Sequence, residues 1–245
     1  MLRAVTELTR NIAQLIYPNT CLICDAREGD SGMHRHGLCT ECHHAVAVDP
    51  FPTCPWCAQT VGPHTNTANG CVECRGESHS FDAAVRLGPY AGKLRTAVLR
   101  TKVLAGEGLA DLLGRTFAEH RGTNLAAQSI DVVAPVPLYW WRKWTRGYNQ
   151  SAAVARELAA GLNVPFEPHL LYRIRHTTQH VQSSRTARQE NIRGAFRLRL
   201  GARVTAQTIL LVDDVMTTGS TASEAARVLR AAGADRVVVA VLARA

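Results

Sequence analysis

Residues 209–221 read Ile-Leu-Leu-Val-Asp-Asp-Val-Met-Thr-Thr-Gly-Ser-Thr, the densest chemistry in this 245-residue chain. An apolar run ends in two adjacent carboxylates, Asp213 and Asp214. A small-residue loop follows, made of Thr217, Thr218, Gly219, Ser220 and Thr221, and then an alanine-rich helical pattern. The order is strand, acidic tip, loop, helix start. A helix N-terminus leaves backbone N–H groups unpaired, carries partial positive charge and receives phosphate readily. Gly219 lets the backbone approach an anion closely, and the four hydroxyls add donors. Each charge-assisted hydrogen bond to a phosphate contributes about 1.5–3 kcal/mol. The two carboxylates suit sugar hydroxyls, or a magnesium ion carried by the ligand. A phosphate site beside a ribose site describes a 5-phosphoribosyl group. The bland alternative is an ordinary strand–turn–helix with two chance acids.

The other end of the chain carries metal chemistry. All eight cysteines fall in four CxxC pairs: Cys21/Cys24, Cys39/Cys42, Cys54/Cys57 and Cys71/Cys74. Fourteen residues separate the first two pairs and thirteen the last two, a spacing close to that of four-cysteine zinc ribbons. Each CxxC turn supplies two thiolates, so two sequential four-cysteine zinc sites are the plain reading. A cross-braced pairing of first with third and second with fourth is the alternative. Four thiolates fill the shell of a zinc ion, which points to structural rather than catalytic metal. Residues 1–17 are amphipathic and interrupted by Arg3, Glu7 and Arg10, unlike a secretory signal. The expected setting is cytoplasmic, where thiols stay free for metal. His34, His36, His43 and His44 are expected at the surface.

A third feature lies at residues 136–150. Three of the four tryptophans, Trp140, Trp141 and Trp144, are interleaved with Arg142, Lys143 and Arg146. Such interleaving can stack bases while gripping phosphates. It can equally line a pyrophosphate loop or form a buried aromatic hinge.

These residues need elements to hold them. Hydrophobic residues make up 46% of the chain, which is ordinary for a globular fold, and no apolar run is long enough for a membrane span. Net charge is +8, but it is unevenly spread: −3 through Ser80 and +11 beyond it. An anionic partner therefore belongs to the second part. A boundary is expected near residue 80, separating a 1–80 N-terminal helix and zinc module from an 81–245 domain. Residues 92–103, 107–120, 149–162 and 220–232 read as helices. Residues 130–135, 196–200, 208–212 and 236–242 read as strands. Alternating strands and helices imply an α/β fold with a mostly parallel sheet, its ligands at the carboxyl ends of the strands. No G-x-G-x-x-G follows a strand and no Walker motif appears.

The 209–221 run resembles the 5-phosphoribosyl-1-pyrophosphate (PRPP) motif of type I phosphoribosyltransferases. That resemblance implies a 5′-phosphate on Thr217, Thr218, Gly219, Ser220 and Thr221, and ribose hydroxyls on Asp213 and Asp214. Taken whole, the chain is similar to the ComF (competence protein F) family. The likeness rests on the CxxC pairs, Pro-Val-Pro-Leu at 135–138, Arg-Gly-Tyr-Asn-Gln at 146–150, Tyr90, the stretch ending at Lys102, and the PRPP motif. One segment departs from the family pattern. Gln179 and Gln182 compete for one position and Ser183 replaces a hydrophobic residue, while Arg188, Asn191 and the run 194–196 match. The resemblance implies a zinc module joined to a phosphoribosyltransferase-like domain, with a lid near 173–195 and a pyrophosphate loop at 137–143. It further implies PRPP or a related phosphoribosyl ligand carrying magnesium, with Arg142, Lys143 and Arg146 near the pyrophosphate and Lys102 as a further contact. DNA uptake or nucleotide metabolism is the implied setting. Single-stranded DNA and DNA-uptake proteins are candidate partners. The expected activity is pentosyl transfer from PRPP; the alternative is a catalytically silent accessory protein that binds single-stranded DNA.

Overall fold

The computed structural model describes residues 20–27, 37–75, 79–177 and 185–245, without the side chains of residues 142, 143, 185 and 186. The 1–17 segment, His34, His36, Gln179, Gln182 and Ser183 lie outside the described residues. In chain order the elements are α1 (Thr40–Ala47), α2 (Val72–Arg75), β1 (Ala83–Pro89), α3 (Gly92–Arg100), α4 (Glu107–Ala126), β2 (Val132–Pro135) and α5 (Trp140–Arg146). They continue with α6 (Gln150–Leu162), β3 (Leu171–Arg173), α7 (Arg185–Ile192), β4 (Phe196–Leu198), β5 (Thr208–Met216), α8 (Ser220–Ala231) and β6 (Arg236–Arg244).

Strands β1, β6, β5 and β2, in that order, form a sheet whose pairings are all parallel. Successive side chains on a strand point to opposite faces, and here both faces are covered. Ile209, Leu211, Val237, Val239 and Val241 pack with Ala222, Ala225, Ala226 and Leu229 of α8. Leu210, Val212, Val238, Ala240 and Leu242 pack on the opposite face with α3, α4 and α6, through Leu94, Leu113, Phe117 and Leu158. Parallel strands buried on both sides read as continuous Val/Ile/Leu runs, as 208–212 and 237–242 do. Truncating a core residue such as Leu210, fully buried, costs about 2–5 kcal/mol. β3 and β4 form a separate antiparallel pair.

Helix α6 starts where Asn149 caps it, its side chain accepting the Ser151 N–H at 3.1 Å. It ends at Asn163 in the left-handed conformation. No helix among the described residues is long and apolar enough to cross a membrane.

The two cysteine modules repeat one local design. In the first, the Asp25 N–H returns to the Cys21 carbonyl at 2.9 Å; in the second, the Ala58 N–H returns to that of Cys54 at 2.8 Å. Asp25 and Ala58, each the fifth residue of its turn, carry φ of 62° and 55°. The modules attach differently. Cys21, Ile23, Leu38, Cys39, Cys42 and Val46 share one buried cluster with α3, α4 and α6. The second knuckle instead docks on the sheet through backbone carbonyls: Pro55 accepts from the Ala84 N–H at 3.1 Å, and Ala58 from Arg86 at 3.1 Å.

Candidate functional site

β5 runs on through the two acids to Met216, so the diacid lies within the end of the strand rather than beyond it. Asp214 is buried and Asp213 half-buried. The first turn of α6 faces them. Gln150 Nε2 donates to Asp214 Oδ2 at 2.8 Å, and Ser151 Oγ to Asp213 Oδ1 at 3.2 Å. Lys102 Nζ lies 3.2 Å from Asp214 Oδ2. Arg146 donates to Gln150 Oε1 at 3.1 Å, so Arg146, Gln150, Asp214 and Lys102 form one polar chain. Burial and the neighbouring Asp214 carboxylate push the Asp213 carboxyl up to about 7, against the pull of the Asp214 N–H, Ser151 and Lys102. A carboxyl held this way beside a second acid is suited to a neighbouring cation.

The loop after the diacid turns at Gly219, where φ is +78°. A side chain there is strained by the backbone alone, and a Cβ would also meet His79 Cε1 at 3.2 Å. Thr218 and Ser220 hydroxyls share a hydrogen bond of 2.8 Å. Thr217 is exposed, Thr218 and Thr221 half-buried, and Ser220 buried at the start of α8. Among the described residues, the N–H groups of Thr217, Thr218 and Gly219 have no protein acceptor. Three such donors at a helix start are an arrangement suited to an anion.

The remaining sequence candidates divide. Arg146 reaches the polar chain, whereas the side chains of Arg142 and Lys143 lie outside the described residues. Residues 140–146 form helix α5 instead of a loop, preceded by the irregular stretch 136–139. Trp140, Trp141 and Trp144 are 60%, 49% and 74% exposed, so the buried-hinge alternative does not hold. Their rings follow one another at 5.6 and 5.4 Å between centroids. Neither of two cavities, about 710 Å³ beside the second knuckle and about 370 Å³ beneath α5, is lined by the diacid or its loop. Ser151 and His79 also touch the site, and no sequence signal marked either.

The cysteines gather sequentially, which settles the pairing. Cys21, Cys24, Cys39 and Cys42 form one group and Cys54, Cys57, Cys71 and Cys74 the other, all ligand atoms within 4.8 Å. Sulfur separations are 3.7 Å for Cys24–Cys39, and 3.8 and 3.6 Å for Cys54–Cys74 and Cys57–Cys71. A zinc ion with four sulfurs at about 2.3 Å sets them about 3.8 Å apart, so both groups fit it. Burial pushes the Cys42 and Cys57 thiols up, and a bound cation is what would hold such sulfurs as thiolates. His43 and His44 join neither group; His43 is half-buried and sits near His120 and Glu119.

Competence protein F of Haemophilus influenzae is 30% identical over 92% of this chain and 96% of its own length. The chain belongs to the competence protein F family. DNA utilization protein YhgH of Escherichia coli K12 is 31% identical over 94% of the chain and 99% of its own. The phosphoribosyl transferase domain family matches residues 101–245, and the double zinc ribbon domain family matches residues 12–78. A solved glutamine PRPP amidotransferase from B. subtilis aligns with 58% of the chain and 28% of its own, at 24% identity and a TM-score of 0.39. In this competence protein F family member the double zinc ribbon and the parallel sheet are thus matched by separate domain families.

Proposed function

We propose that this protein binds PRPP, or another 5-phosphoribosyl compound, with magnesium at the loop between β5 and α8, and serves DNA uptake or use. One observation carries the reading: a carboxylate pair, Asp214 buried and Asp213 half-buried, stands directly before a glycine-turned loop in which the N–H groups of Thr217, Thr218 and Gly219 meet no acceptor among the described residues. Thr217, Thr218, Gly219, Ser220 and Thr221 take the 5′-phosphate, and Asp213 and Asp214 meet the ribose hydroxyls. Magnesium, when bound, adds positive charge at the pyrophosphate, and the diacid is its fitting neighbour. Lys102 and Arg146, with Arg142 and Lys143 on α5, complete the cationic side. In pentosyl transfer, pyrophosphate leaves C1 through an oxocarbenium-like transition state, so positioning and charge stabilisation do the work. The intact diacid and loop favour such transfer. The ligand-binding part is residues 81–245 and the zinc module residues 1–80, in a cytoplasmic setting. The DNA arm of the reading draws on the relatives' names, competence protein F and DNA utilization protein.

The exposed tryptophans of α5 favour a second reading, a platform for single-stranded DNA with little turnover. A competition experiment separates the two. A labelled oligonucleotide should bind with steep salt dependence and lose about 1–3 kcal/mol on Trp144→Ala. Magnesium-PRPP should displace it if α5 also holds pyrophosphate. Oligonucleotide binding indifferent to salt and to loss of the tryptophans contradicts the platform, and absence of any PRPP binding contradicts the phosphoribosyl reading.

A further inference from the structure

Two buried arginines on neighbouring strands hold the second cysteine knuckle against the sheet. Arg86 of β1 pairs with Asp49 at 2.8 Å and donates to the Ala58 carbonyl at 3.1 Å. Arg244 of β6, 6% exposed, donates from Nε to the Cys57 carbonyl at 3.1 Å. The same guanidinium reaches the Met216 carbonyl at 3.2 Å, and the carbonyls of Thr217 and Ala245. One rigid fork thus joins the backbone of a zinc-type cysteine to the first residues of the phosphate loop. A planar trans peptide sets its C=O and N–H on opposite sides. Turning the Met216 and Thr217 carbonyls toward Arg244 therefore aims the N–H groups of Thr217 and Thr218 the other way. Those are two of the three donors that find no acceptor among the described residues.

A second contact runs beside the loop. His79, which follows the second cysteine group in sequence, stacks on Phe81 at 4.6 Å and lies against Gly219. The first cysteine group packs into the core with α3, α4 and α6 instead. The second group alone, among the described residues, has this line to the loop.

We propose that Arg244 is a positioning residue coupling the second four-cysteine zinc centre to the phosphate loop, so that closure of that knuckle on metal sets the loop's affinity for its ligand. The proposal rests on the phosphoribosyl reading above. A lysine, with a single point of charge, cannot span these carbonyls as a planar fork does.

Coupling between two sites is reciprocal, and that gives a test needing no variant. The full-length zinc-loaded protein is exposed to a chelator and a thiol-alkylating reagent, with and without saturating magnesium-PRPP. Cysteines freed over time are read peptide by peptide. PRPP should slow labelling of Cys54, Cys57, Cys71 and Cys74 at least about threefold and leave Cys21, Cys24, Cys39 and Cys42 unchanged. Arg244→Gln should retain both zinc ions, bind PRPP about tenfold or more weakly, and lose the selective protection; Arg244→Lys should fall between. PRPP that binds yet protects neither group, or both alike, overturns the coupling and leaves the ligand reading standing. Wild-type protein that binds no PRPP in direct calorimetry removes the ligand reading, and the coupling with it.

Discussion

At Asp213 the proposed binding role and stability oppose each other. Burial and the adjacent carboxylate hold its proton to about pH 7 in the fold, whereas an aspartate in an unfolded chain releases it near 3.9. Between those values the folded state binds more protons than the unfolded, so unfolding free energy falls as pH rises. The loss accumulates from about pH 4 to pH 7 and then levels, at roughly 1–3 kcal/mol for a partly screened group. Asp213→Asn should therefore raise the melting temperature of ligand-free protein at pH 8 by roughly 2–8 °C and give little gain near pH 4. Thermal unfolding of both proteins at the two pH values checks this; an equal loss at each would mean that Asp213 is merely structural. The diacid and its loop were legible in the sequence because they are contiguous. Their supports were less so: Gln150 and Lys102 stood out as family positions, but nothing in the sequence joined them to Asp214. Ser151, His79 and Arg244 come from other elements and carry no local pattern.

At the scale of elements, apolar runs were readable even where short, as at β2 and β4, and elements interrupted by charge or facing solvent were not. The expected 149–162 helix begins one residue later because Asn149 is its cap. The 208–212 and 236–242 strands extend to Met216 and Arg244, since polar residues at a sheet's carboxyl end break the apolar run without ending the pairing. β1 was not visible as a strand because Arg86 interrupts it. That arginine is buried against Asp49, 37 residues away, and the Ala58 carbonyl, with side-chain exposures of 1% for Arg86 and 2% for Asp49. α5 was read as a loop: its large residues face solvent, so they give no core-facing periodicity. β3 is three residues long, too short to carry a pattern, whereas the expected 196–200 strand is present as β4, which ends at Leu198. The Arg86–Asp49 pair makes its own prediction. Removing one partner of a buried ion pair strands the other, so Asp49→Ala should cost about 3–5 kcal/mol. Denaturant unfolding measures it; a loss below about 1 kcal/mol would show that water already reaches the pair.

At the scale of the molecule, the first cysteine group and the sheet helices share one core, so metal and fold should fail together. We expect about two zinc ions per chain after dialysis, from the two four-cysteine groups. Stripping them should broaden unfolding of the whole chain and expose apolar surface, because structural zinc contributes about 10–16 kcal/mol in zinc-finger peptides. Near-zero zinc in reduced protein, or a sheet whose stability ignores the chelator, would contradict this. Charge points the same way as the proposal: +11 lies beyond Ser80, in the part of the chain that carries the glycine-turned loop. The most direct test of the central claim is calorimetric titration of magnesium-PRPP into wild type, Gly219→Val and the double variant Asp213→Asn/Asp214→Asn, each carrying its full zinc. The account predicts saturable one-to-one binding to wild type, none detectable to Gly219→Val, and at least about tenfold weaker binding to the double variant. Equal affinity in all three proteins would contradict it.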